Sequence, residues 1–154
     1  RCQLFSIPEP PFEQGLAWLM QFEHDKDKAS SLLRLSASRP LLARKYFEEG
    51  SDNLYEEMVE GLISLRSRKL LIVELAGKWH KNLAIYDFWF HWLLEDLKAV
   101  FNGCTQQTGL SAESIQVFLK KLINAKKQAL STANPNLQLL LEALLVDWLM
   151  LPVE

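Results

Sequence analysis

Residues 134–151, NPNLQLLLEALLVDWLML, join a proline turn to a run in which 12 of the 15 positions from Leu137 to Leu151 are apolar. The run reads as a helix of roughly Leu137 to Leu151, and Asn134-Pro135-Asn136 ends the connection before it. Its polar exceptions, Gln138, Glu142 and Asp147, do not share one face, so the helix has to be covered nearly all round. Leaving about four of its leucines in water, at ~1.5–3 kcal/mol each, costs ~6–12 kcal/mol, which rivals a domain's whole stability. Either this is the central helix of its own bundle, or one side packs inward and the other against a second protein chain.

The rest of the chain fits a helical partner for that segment. Leucine dominates, β-branched residues are sparse and only 6 of 154 residues are glycine, which favours helices over sheets; the expected class is all-α. The length suits one ordinary core or a small module beside a medium one. Seventeen basic against 19 acidic residues, evenly balanced on either side of Gly50, do not make a nucleic-acid-binding surface. The longest nearly unbroken apolar stretch is about 15 residues and carries two acids, short of the ~20 needed to cross a bilayer, and no signal peptide precedes it. A soluble, cytoplasmic protein is expected. Cys2 and Cys104 have no partner at zinc-finger spacing.

Helical spacing then divides the chain. A helix from about Pro11 to Phe22 is followed by one from Lys26 to Leu35 and, after Ser36-Ala37-Ser38-Arg39, by one from Pro40 to near Gly50. Gly50-Ser51-Asp52-Asn53 is the candidate boundary between residues 1–50 and 51–154. Beyond it Asp52 or Asn53 caps a helix whose stripe is Tyr55, Met58, Val59, Leu62 and Ile63. Helices from Leu70 to Trp79 and from Leu83 to Phe101 come next, and Asn102-Gly103 stops the latter. Ser111 caps a helix with stripe Ile115, Phe118, Leu119, Leu122 and Ile123. The opening RCQLFSI followed by PEPP reads as a short strand leaving a sheet, so the chain is expected to be cut from a larger polypeptide.

Few residues invite chemistry. Asp87, His91 and Glu95 stand at i, i+4, i+8 on one helical face, as bundle metal sites require, but the Glu-x-x-His element of helical di-iron sites is missing. They read as the watered stripe of an aromatic helix, with no metal bound. Trp18, Trp79, Trp89, Trp92 and Trp148 lie in apolar helical runs and read as packing groups. Lys120, Lys121, Lys126 and Lys127 read as a solvated basic face near a helix end. No nucleophile–base pair and no glycine-rich phosphate loop can be drawn, so catalysis by this chain alone, and any cofactor, are not expected.

Three stretches, RCQLFSIPEPPFEQGLAWL (residues 1–19), LRLSASRPLLARKYFEEGSDN (33–53) and NPNLQLLLEALLVDWL (134–149), taken in order, resemble the clamp-loader subunits of bacterial DNA polymerase III, of the delta-prime type. The resemblance implies the end of an ATPase-like module with its strand remnant, a three-helix lid over residues 1–50, and a helical collar of about five helices over 51–154. It also implies hetero-oligomeric assembly with other loader subunits through the collar, work in DNA replication, primer-template DNA met only indirectly, and no membrane.

In that family a Ser-Arg-Cys motif closes the nucleotide-binding module, and its arginine reaches the ATP of the neighbouring subunit. Arg1 and Cys2 match its last two letters, so the resemblance makes Arg1 an arginine finger acting in trans, inactive when detached from its module. The Gly-Ser-x-Arg lid pattern of the ATP-binding relatives lines up with Ser38-Arg39-Pro40-Leu41, placing a leucine where the arginine stands, and a leucine cannot hydrogen-bond a phosphate. Arg39 sits two residues early. The partner surface is expected on the last helix, at Leu137, Leu141, Leu144, Leu145 and Trp148. A ligand-binding or dimerising bundle of a transcription regulator, and a metal-dependent helical enzyme using Asp87, His91 and Glu95, are the rival readings.

Overall fold

A computed structural model describes residue 8 and residues 10–152, and among these the chain is all-α, with eight helices and no strand. The strand expected at residues 1–7 lies outside the described residues. The chain divides into two compact units, Arg1–Asn53 and Leu54–Glu154.

The first unit holds α1 (Phe12–Leu19), α2 (Lys26–Leu35) and α3 (Pro40–Glu48). Leu16, Leu19, Ala29, Leu32, Leu33, Ala43 and Tyr46 form its buried interior. Asp25 starts α2 by accepting hydrogen bonds from the amides of Asp27 at 2.9 Å and Lys28 at 3.3 Å. Placing that cap requires an earlier turn, so α1 ends at Leu19 and not at Phe22, with the amides of Phe22 and Glu23 both reaching the Leu19 carbonyl. Between α2 and α3 the backbone is left-handed at Ala37 (φ 53°) and Ser38 (φ 61°), and the Ser38 amide donates to the Leu33 carbonyl at 2.9 Å. The buried Ser36 hydroxyl donates to the same carbonyl.

The second unit is built from α4 (Ser51–Arg66), α5 (Ile72–Trp79), α6 (Ala84–Asn102), α7 (Ala112–Ala129) and α8 (Leu137–Leu149). α4 begins at Ser51, so Asp52 and Asn53 fall inside its first turn and not before it. Its buried face is Met58, Gly61, Leu62 and Leu65, while Ile63 points out. The face is turned because the Trp79 indole lies directly on Gly61: a Cβ there would come within 2.8 Å of two ring carbons. α6 ends at Gly103 in the left-handed conformation (φ 66°), Ser111 caps α7 by accepting from the Ser114 amide, and Asn136 caps α8 by accepting from the amides of Gln138 and Leu139.

α8 packs against α5 and α7, and α6 against α7. At the centre, Trp148 stands edge-on to Trp89 at 5.7 Å, with Trp92 at 5.7 Å and Phe118 at 5.5 Å. Its Nε1 donates to the Leu62 carbonyl at 3.4 Å. The Arg66 guanidinium lies 4.5 Å from the Trp148 ring and donates to the carbonyls of Trp148 and Leu151, closing the end of α8 two residues before the expected one. The loop after α6 is pinned by buried Asp96, which accepts from the amides of Gln107 (2.7 Å) and Thr108 (3.1 Å) and from the Thr108 hydroxyl.

Three substitutions check this packing by urea unfolding followed by circular dichroism. Gly61→Ala is expected to lose about 1–3 kcal/mol, since the rigid indole has to move. Gly77→Ala in α5, where a Cβ meets nothing within 4 Å, is expected to gain about 0.5–1 kcal/mol. Asp96→Ala is expected to cost about 1–3 kcal/mol by stranding two loop amides.

Candidate interaction surface

Residues at i, i+4, i+7 and i+11 of a helix lie in one row. On α8 that spacing gives Leu139, Ala143, Val146 and Met150, and all four are exposed, Leu139 to 60%, Val146 to 47% and Met150 to 79%. The row runs about 16 Å along the helix. Its edge toward α7 is fixed by an ion pair between Lys121 and Asp147 at 2.7 Å, and exposed Val117 lies one turn before Lys121 on the same side of α7. Single exposed apolar side chains are ordinary, whereas an aligned row of them is a candidate for an interaction surface.

The five residues expected to meet a partner fall elsewhere. Leu141, Leu144, Leu145 and Trp148 are buried against α5, α7 and their neighbours, and Leu137 is half-buried. A side chain enclosed by its own unit has no surface left for another chain, so on this helix the face open to a partner is the opposite one. No sequence signal separated the two faces, because both are apolar.

The other singled-out groups serve the fold. Trp79, Trp89, Trp92 and Trp148 are buried, and Trp18 packs against Phe22 with tilted rings, centroids 5.0 Å apart. Asp87 is paired with Lys126 of α7, Glu95 with Lys98 at 2.7 Å, and among the described residues no group of three or more His, Cys, Asp or Glu side chains is placed to hold a metal ion. Two of the four clustered lysines, Lys121 and Lys126, therefore tie helices together, which the reading of a solvated face missed. The bonded Lys78 ammonium holds the Glu57 carboxyl below the usual range, and burial raises the Tyr55 and Tyr86 hydroxyls. None of these three is poised to move a proton at neutral pH. Leu41 is 76% exposed on α3, with Arg39 at the residue before that helix. Arg1 lies outside the described residues. No helix is long and apolar enough to cross a membrane among the described residues.

No family model matches the chain. A curated relative, DNA polymerase III subunit delta' of Pseudomonas aeruginosa, is 28% identical over 170 residues, an alignment that covers 99% of this chain and 52% of the relative. The chain thus spans about half the length of the curated relative it matches. Along essentially its whole length this all-α chain is similar to a DNA polymerase III subunit delta', and it is consistent with the C-terminal region of such a subunit.

Proposed function

We propose that the chain is the lid and collar of a clamp-loader subunit that binds no ATP itself, acting in DNA replication in the cytoplasm. Residues 1–50 are its lid and 51–154 its collar. The carrying observation is the end-to-end alignment with subunit delta', which leaves no part of the chain for a different module. The collar joins the other loader subunits in a ring that loads the sliding clamp, and DNA is met only through them. Leu41, standing where the ATP-binding relatives are expected to carry a lid arginine, supports a subunit with no nucleotide of its own. The part played here is positioning. The exposed row on α8 is the collar contact, since partner subunits that are helical collars themselves offer the apolar ridges that such a row accepts.

Val146→Asp combined with Met150→Asp is expected to keep the helical circular dichroism spectrum while cutting co-purification with the other loader subunits at least tenfold. Leu145→Asp, which buries a charge, is expected to unfold the second unit instead. Wild-type assembly by the double variant overturns the assigned contact. Arg1, by resemblance, completes the ATP site of the neighbouring subunit. Arg1→Ala in the assembled loader is expected to lower DNA-stimulated ATP hydrolysis by at least a hundredfold with assembly intact, and unchanged hydrolysis removes that role.

A further inference from the structure

A groove of about 310 Å³ runs between α6 and the C-terminal half of α7, on a side of the second unit that the α8 row does not include. Phe90 from α6, Ile123 from α7 and Leu130 at the end of α7 give it apolar walls, and Ile123 and Leu130, two turns apart in one row, are both exposed. Its charge is lopsided. Asp87 and Lys126 neutralise each other across it, but Lys127 at the rim makes no ion pair among the described residues, nor does Lys120 two turns earlier on the same side of α7. The wall is also short of one acceptor. Tyr86 lines the groove, is 2% exposed, and its hydroxyl is buried with no hydrogen-bond partner among the described residues. A buried donor left unmet costs free energy that an incoming oxygen recovers.

An occupant that answers all three features brings apolar side chains, negative charge and a carbonyl or carboxylate oxygen. The two unpaired ammonium groups are separated by seven residues of helix, about 10.5 Å. A single small anion does not span that distance. Acidic residues three apart in an extended chain do, at about 3.3 Å per residue. The geometry points to a docking site for an extended peptide segment of a partner protein, with two acidic residues flanking an apolar pair that enters the groove. The site does not depend on the clamp-loader reading.

The test is fluorescence anisotropy of the full chain with a fluorescein-labelled peptide, Gly-Asp-Phe-Leu-Asp-Gly, beside its counterpart with lysine in place of aspartate. Saturable binding of the acidic peptide, at least tenfold tighter than the basic one and weakened by salt, is expected. Lys127→Glu is expected to weaken it at least tenfold and Ile123→Asp to abolish it. Tyr86→Phe is expected to weaken it about two- to tenfold while leaving the free chain at least as stable. Both substituted α7 positions are exposed; if Ile123→Asp loses its helical spectrum, Lys127→Glu alone decides. Equal binding of the two peptides, wild-type affinity in Lys127→Glu, no saturation up to about 1 mM, or preference for an oligothymidine strand over the acidic peptide each overturns the assignment.

Discussion

The indole of Trp148 reaches its place only when three other helices meet there. Trp89 and Trp92 come from α6, Phe118 from α7, and α4 sends the Leu62 carbonyl and the Arg66 guanidinium. Each ring pair contributes about 0.5–1.5 kcal/mol beyond the area it buries, and the cation over the ring adds a comparable amount. More important than the sum is the geometry. A flat group with one polar edge can be enclosed in few ways, so the position of α8 sets where α4, α6 and α7 can lie. Arg66 then fastens the free end of α8 by taking up its last carbonyls.

The same constraint decides which side of α8 is left over. A helix that is apolar all round but touches neighbours on one side only must show the remainder, and the remainder here is the row from Leu139 to Met150. Of the two alternatives open at the outset, the helix central to its own bundle does not hold, because one face packs inward and the other is bare. Since covering that row contributes on the order of 1.5–3 kcal/mol for each large side chain, an assembly that covers it gains stability that the isolated unit lacks.

What could be read in the sequence was local. Helix number, the cap at Ser111 and the stop at Asn102-Gly103 all depend on residues within a turn of one another, and each stands where its neighbours indicate. Facing was harder. The α4 stripe was right at Met58 and Leu62 and wrong at exposed Ile63, and it missed Gly61, which has no side chain to announce that it is buried; the reason it must be glycine is an indole 18 positions away. On α8 the residues expected to face a partner are buried, and apolar residues on both faces carried no phase to tell inside from outside. Asp96 did leave a trace, standing one turn beyond Trp92 on the buried side of α6, but its partners are backbone amides in a loop 11 and 12 residues later.

Charge settles register once the rings have settled position. Glu57 with Lys78, Asp87 with Lys126, and Lys121 with Asp147 join α4 to α5, α6 to α7 and α7 to α8. Pairs this exposed contribute only ~0–1 kcal/mol each, too little to hold helices that the aromatic centre already holds. Their effect is on alternatives: sliding one helix by a turn breaks its pair and sets an unmatched charge against an apolar neighbour. With three helix pairs tied in this way, the charges left over stand on the outer faces. What the packing leaves outside is a bare apolar row on α8 and a basic rim at Lys120 and Lys127.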